Sequence, residues 1–514
     1  MFPGTVARAT PDKPAVITYE TGEVLTYRQL DEHSAAIAAE LYALGLRKGD
    51  VIALLSENTN ECYEIFWAAV RSGLYITPIN RHLTSDEVAF IVNDSDAKVL
   101  FASAGLSEIA SAVVELTPAV EHRFAVGGDI EGYRPYRDVV QSGAPRLTDQ
   151  PRGSDMLYSS GTTGRPKGIR PALLDIQVDE PGEPITAMMA AMFGVGPDDV
   201  YLQPAPVYHA APLKWAGSVQ ALGGTVIQMA KFSPEGALDA IARYGVTIAQ
   251  FVPTMFVRML QLDDVVRAKY DTATIRMAVH AAAPCPPEVK KAMIDWWGPV
   301  LFEYYGASEQ HGMYFISTPE WIAKPGSVGK KGLGVVHICD EQGTELPAGE
   351  VGTIYFERDV RPFSYHKDPE KTDKATHPTH LSWTTVGDLG HLDEDGYLFI
   401  ADRQVFVIIS GGVNIYPQEV ENALTMHPKI FDVAVIGVPD AEMGQQVKAV
   451  VQLKPGVEPS ADVETELIDY VGSRVAKFKV PRSVDFVDEI PRTPTGKLLK
   501  RKLVESYANQ EVTA

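Results

Sequence analysis

The chain has 514 residues, room for about three average domains and a large buried core, which excludes a small binding module. Apolar residues make up 45% and charged residues 22%, a globular mix that argues against a disordered or fibrous chain. Lys plus Arg number 46 against 67 Asp plus Glu, and the resulting formal charge of −21 disfavours phosphodiester backbones and anionic lipid as bulk partners.

Taken in chain order, the first hundred residues alternate helix patterns with short apolar strands. Thr26 to Gln29 reads as a capping box, Leu30, Ile37, Leu41 and Leu44 recur near the helical period, and Gly45 stands where a helix-ending glycine belongs. Strand Val51–Leu55, a helix around Cys62 to Arg71, strand Tyr75–Pro78, a helix after Ser85 and strand Lys98–Ala102 continue the rhythm. Such alternation predicts an α/β fold with mostly parallel, helix-covered sheets in a large N-terminal domain. Asp393 to Gly396 reads as a tight turn and Tyr397 to Ile400 as a strand, after which a new pattern begins. The expected division is an N-terminal domain over 1–402 and a small α+β domain over 403–514.

Cys62, Cys285 and Cys339 are odd in number and far apart, which fits a reducing cytoplasm better than a disulfide scaffold. The opening stretch, where prolines such as Pro3 and Pro14 stand among polar residues, lacks the apolar core of an export signal. Apolar runs such as Ala187 to Gly196 fall short of the roughly 20 residues needed for a bilayer span. A soluble, cytoplasmic protein is expected.

The sharpest local signal is YSSGTTGRPKG, Tyr158 to Gly168. Its glycines let backbone N–H groups turn toward an anion, its hydroxyls donate, and Lys167 adds a mobile positive charge, which together suit a phosphate cradle. Pro166 and Gly168 on either side of Lys167 exclude a Walker A loop. The stretch HKDPEKTDKATHPTH, carrying His366, His377 and His380, reads as a surface loop. Pro378 breaks the regular face that a helical His-x-x-His site uses.

Farther on come EYYGASE (Glu303 to Glu309), TTVGDLG (Thr384 to Gly390), ADRQVFVIISGGVNIYPQEVE (Ala401 to Glu421) and PRTPTGK (Pro491 to Lys497). With the Tyr158 to Gly168 segment, this ordered series resembles the ANL superfamily of adenylate-forming enzymes, and most of all stand-alone acyl-CoA synthetases of the fatty-acid–CoA ligase type. The resemblance spans roughly residues 10 to 505. It implies activation of a carboxylic acid by ATP to acyl-AMP with loss of pyrophosphate, then transfer to coenzyme A.

The resemblance also assigns residues. Ser159, Ser160, Gly161, Thr162, Thr163, Gly164 and Lys167 belong to the loop that holds the β- and γ-phosphates, with Thr162 counted among the catalytic groups. Glu309 matches the Mg²⁺ ligand, a hard carboxylate oxygen of the kind that ion prefers. Ala282, Ala283 and Pro284 align with the adenine pocket, Tyr305 and Gly306 with the aromatic platform, and Ser308 stands where the family more often has Thr. Asp388 and Arg403 match the ribose contacts, and Lys497 the lysine that approaches the carboxylate and α-phosphate. Gly411 and Gly412 match the loop that meets the acceptor's pantetheine chain.

For the acyl group, His209, Phe251, Val252, Met255, Ala307 and Met313 are the pocket candidates, an apolar set that favours a hydrophobic acid. The C-terminal domain of the family is mobile and swings about a hinge two residues after the matched arginine. Here that position is Val405, followed by Phe406, where Asp or Lys and an acidic residue are usual. Val is β-branched and absorbs a backbone rotation less freely. The acceptor therefore stays open among coenzyme A, an amine and a separate carrier protein, with a noncatalytic nucleotide-binding protein as the remaining alternative. A homodimer is likewise left open.

Overall fold

In the computed structural model, residues 1–159, 166–440, 442–493 and 496–511 are described. The fold is α/β, with a large N-terminal region of mostly parallel sheets and a smaller C-terminal domain. By packing, the chain divides into two compact units. The first comprises Met1–Gln250, Asp263–Ala278 and Phe363–Thr372, and the second Phe251–Leu262, Val279–Pro362 and Asp373–Ala514.

In the first unit a six-stranded sheet is parallel throughout. Its order is Arg134–Pro135, His122–Val126, Ala97–Ser103, Val51–Leu55, Tyr75–Ile79 and Ser154–Asp155. Val51–Leu55 and Tyr75–Ile79 are buried at every position, as strands covered on both faces must be. The intervening helices Tyr27–Ala43, Asn60–Val70 and Ser85–Asp94 follow the sequence signals closely. Thr26 and Gln29 form the expected reciprocal cap, and Thr84 with Glu87 forms another. Each such cap is worth about 1 kcal/mol. Gly45 has φ 98°, the left-handed conformation that lets the chain leave the helix Tyr27–Ala43. A second group of strands, Val200–Gln203, Thr225–Gln228 and Pro14–Thr18, is also parallel and ends on an antiparallel Val24–Thr26.

The second unit is mainly antiparallel. One sheet orders Ser327–Gly329, Leu398–Arg403, Asp388–Leu392, Gly352–Glu357 and Val335–Cys339, with Phe356 and Leu398 wholly buried. Toward the C terminus, Ile430–Asp440 and Gly444–Leu453 form a long ribbon, with Ser483–Phe486 parallel to the latter. Helices Pro417–Leu424 and Ala461–Gly472 cover the core of Val420, Leu424, Val435, Val451 and Leu467. Pro417 opens its helix in the first turn, where its missing N–H costs no bond.

One stretch departs from expectation. Within the His366 to His380 segment, Pro369–Lys374 is helical and His377 is 2% exposed. Trp383 accounts for the burial: its ring lies 5.0 Å from that of His377, and the rings of His337 and His380 stack on it at 3.6 and 4.1 Å. No helix among the described residues is long and apolar enough to cross a membrane.

Candidate active site

The strand Leu301–Gly306 turns back into Met313–Ser317 with Tyr305 opposite Tyr314 and Gly306 opposite Met313. Gln310, at φ 54°, takes the left-handed conformation that a tight reversal requires. Gly312 is needed for a close approach, because a Cβ there would lie 1.9 Å from the Phe356 ring. The result is that Glu309, at the end of a loop, is only 8% exposed.

Register supplies the next part. Asp388–Leu392 and Leu398–Arg403 are antiparallel with Asp388 directly opposite Arg403. Arg403 Nε lies 3.1 Å from Asp388 Oδ1, and Tyr305 Oη donates to Oδ2 at 2.7 Å. Both carboxylate oxygens are thus engaged and Asp388 is held in one orientation, 7% exposed. Burial, and then the Asp388 charge, push the Tyr305 phenol well above its usual range, so it remains a donor.

Lys497 comes from the C-terminal segment. Thr493 and Lys497 close a tight turn, with Gly496 N donating to Thr493 O at 2.7 Å and Gly496 itself at φ 79°. Arg492 ties this turn down: its guanidinium grips Asp432 at 2.6 and 2.7 Å and donates to Gly496 O at 2.8 Å. The Lys497 ammonium is pulled down to about 8, first by desolvation and then by repulsion from Arg403, against the opposing charges of Asp388 and Glu309. No ion pair to Lys497 occurs among the described residues.

Tyr305, Asp388, Arg403 and Lys497 border one cavity of about 310 Å³ within the second unit, and Glu309 is not among its lining residues. Ala282, Ala283, Pro284, Tyr305, Gly306, Asp388, Arg403 and Lys497 line it, joined by Asp402 and Phe406. Ala282 holds φ 74° despite its Cβ, a backbone conformation that costs of order 1 kcal/mol and presents the loop to the cavity. Phe251, Val252, Met255, Ala307 and Met313 are not among the lining residues. Phe251 packs on Phe256 and Trp297 at 5.4 and 5.6 Å and Met255 is 3% exposed, so both are bound up in core packing. Ser308 is half-buried beside Glu309.

The remaining candidates sit elsewhere. In the first unit, Ser159 pairs with Lys167 across two short antiparallel strands, and Lys167 Nζ lies 4.8 Å from the centre of the Tyr365 ring. Ser160, Gly161, Thr162, Thr163 and Gly164 lie outside the described residues. His209 caps the helix Ala210–Ala221 by position, its ring 4.5 Å from Tyr208. Gly411 and Gly412, φ 57° and 78°, form the two-residue turn between strands Ile408–Ser410 and Val413–Ile415, where both positions need positive φ.

Several groups escaped the sequence reading. Asp402 accepts from the backbone N–H groups of Arg403 and Gln418 at 2.6 and 3.2 Å, and burial raises its carboxyl. Glu303, which borders the cavity, is buried and paired at 2.6 Å with Lys290, which is 0% exposed. Arg492 could have been noticed inside PRTPTGK, whereas Asp432, 60 residues away, carries no local signal.

A cavity of this size bordered by small residues and an aromatic ring, with a buried carboxylate, an arginine and a lysine that is unpaired among the described residues, suits an adenylate. Comparison with known proteins agrees. The model of the AMP-binding enzyme family matches residues 5–360, and that of the AMP-binding enzyme C-terminal domain matches residues 419–497. The chain belongs to the AMP-binding enzyme family. Within it, this member of the ANL superfamily is an adenylate-forming enzyme similar to acyl-CoA synthetases. The chain is 33% identical to the fatty acid–[acyl-carrier-protein] ligase ScoC of Streptomyces coeruleorubidus, over 98% of this chain and 95% of that protein. It is 30% identical to the long-chain-fatty-acid–CoA ligase FadD13 of Mycobacterium tuberculosis, over 98% and 97%. Among solved structures, the anthranilate CoA ligase AuaEII in complex with anthranoyl-AMP superposes with a TM-score of 0.85 at 26% identity, covering 98% of this chain and 96% of that one.

Proposed function

We propose that the protein activates a hydrophobic carboxylic acid with ATP and passes the acyl group to the thiol of coenzyme A. The observation that carries this reading is the convergence of Asp388, Arg403 and a desolvated Lys497 on one cavity bordered by Ala282 to Pro284 and Tyr305. Two anions, carboxylate and α-phosphate, must approach each other there. A desolvated ammonium offsets their repulsion more strongly than one in water would.

In the first step a carboxylate oxygen attacks the α-phosphorus. The bond to the bridging oxygen breaks, and that oxygen leaves with pyrophosphate. Lys497 is protonated at neutral pH, given its value of about 8, and stabilises the charge gathering on the α-phosphate. Asp388 accepts the ribose hydroxyls while Tyr305 and Arg403 fix its orientation. ATP enters with Mg²⁺ as the substrate complex, and the buried Glu309 carboxylate, a hard oxygen donor, fits the role of its protein ligand. In the second step the acceptor sulfur attacks the acyl carbon, the bond to AMP breaks, and the thiol proton leaves to solvent or AMP. The turn at Gly411 and Gly412 has no side chain to obstruct a pantetheine arm. A boundary after residue 402, with a pivot at Val405, is part of this proposal.

A second reading is a carrier-protein thiol as acceptor, favoured by the 33% identity to a ligase of that kind and by Val405 at the hinge position. Pyrophosphate release should be followed across short, long, aromatic and polycyclic acids, with and without coenzyme A, and the products weighed by mass spectrometry. Acyl-CoA supports the first reading. Acyl-AMP that accumulates whether or not coenzyme A is present refutes it and supports a different acceptor.

A further inference from the structure

A second cavity, of about 260 Å³, lies in the first unit. Its walls are polar, with Thr148, Gln150 and Gln177 among them, and three arginines border it: Arg8, Arg71 and Arg146. They come from three separate parts of the chain, the helix Pro3–Ala9, the end of the helix Asn60–Val70, and the segment before Gln150.

Arg71 is the built part. It is 5% exposed, and its Nη1 donates to Asp31 O, Asp31 Oδ1 and Ser34 Oγ, each at 2.9 Å. Its Nε donates to Gln150 Oε1 at 3.0 Å, and Gln150 is in turn held by Gln177 at 2.9 Å. These bonds lock the guanidinium plane and leave Nη2 out of all of them. Arg8 and Arg146 are exposed and form no ion pair among the described residues. The carboxylates at the cavity are Asp31, committed to Arg71, and Asp179. Three cations against two anions, on a chain with a formal charge of −21, make this a local reversal of sign. Burial is the first cause of a lowered Arg71 pKa, against the attraction of Asp31, and Arg146 and Arg8 add repulsion.

We infer that this cavity binds a phosphate group, at a site separate from the nucleotide pocket. A planar carboxylate is satisfied by one guanidinium fork, whereas a tetrahedral dianion can accept from several guanidinium groups arriving from different directions. The ligand is inorganic phosphate or the phosphate of a small monoester.

Equilibrium dialysis tests this with labelled inorganic phosphate and, in a parallel arm, glycerol phosphate. Saturating α,β-methylene ATP fills the nucleotide site. The full chain should bind about one equivalent, and Arg8→Ala/Arg146→Ala should bind at least tenfold more weakly. Both substitutions are at exposed positions, and an unchanged Tm without phosphate verifies the fold of the variant. Arg146→Ala alone should weaken binding less than the pair. Tenfold preference for the ester would identify a metabolite as the ligand, and parity would identify free phosphate. No binding by the full chain, or equal binding by the double variant, overturns the proposal.

Discussion

Two lysines in the same unit show how burial sorts cations by role. Lys290 is 0% exposed and held 2.6 Å from Glu303, with the Trp321 ring 5.0 Å away. Its charge is cancelled on the spot, and burial of Glu303 raises that carboxyl against the pull of Lys290. Lys497 borders the same cavity as Glu303 but has Arg403 for a repelling neighbour and no carboxylate paired to it among the described residues. The first lysine neutralises a carboxylate at the edge of the cavity. The second keeps its charge available for a ligand, at the cost of a lowered pKa.

The largest expected effect comes from removing the available charge. Lys497→Ala should slow pyrophosphate release by about 10²–10³, the loss typical of one preorganised transition-state donor. Turnover of supplied acyl-AMP to thioester should stay within a few-fold, and equal losses in both steps would erase the division of labour. Removing the neutralised charge acts on stability instead. Lys290→Met leaves Glu303 buried and unpaired and should cost about 3–5 kcal/mol, read from the denaturant midpoint. Adding Glu303→Gln should recover part of that loss.

A subtler change tests how Lys497 is delivered. A Cβ at Gly496 would lie 1.9 Å from Thr254 Oγ1 and would stand on a residue with φ 79°. Gly496→Ala should therefore lower the adenylation rate about tenfold by displacing the lysine, without removing it. A similar rate would mean that the turn tolerates movement. Val405→Pro, within the short turn Gln404–Phe406, should slow thioester formation more than pyrophosphate release, and unchanged thioester formation would put the pivot elsewhere.

Much of this was legible in the sequence because its cause is local. The capping box at Thr26, strands such as Val51–Leu55, and the motif residues Tyr305, Asp388, Arg403 and Lys497 can all be read from short windows. What escaped notice depends on residues distant in sequence. Arg492 grips Asp432 across 60 positions, and Lys290 reaches Glu303 only after the intervening segment folds. Asp402 stands next to Arg403 in sequence, yet a strand register sends the arginine to Asp388 and leaves Asp402 to accept from Gln418. Burial of His377 was hidden for a similar reason, since its aromatic partner Trp383 lies beyond the histidine-bearing stretch and reaches it only in the folded chain.

The most direct test of a cation reserved for the ligand is the pH dependence of kcat/KM for pyrophosphate release, which reports ionisations of the free enzyme. In the proposed mechanism Lys497 acts protonated, so activity should hold below its value of about 8 and fall toward tenfold per pH unit above it. Stability should move the other way: a lysine pKa depressed by folding costs stability below about 8, and that cost is relieved as pH rises toward the unfolded value of about 10.4. Lys497→Arg, whose charge persists at all these pH values, should lose the alkaline limb even where its overall rate is lower. An alkaline limb unchanged in Lys497→Arg would contradict the account.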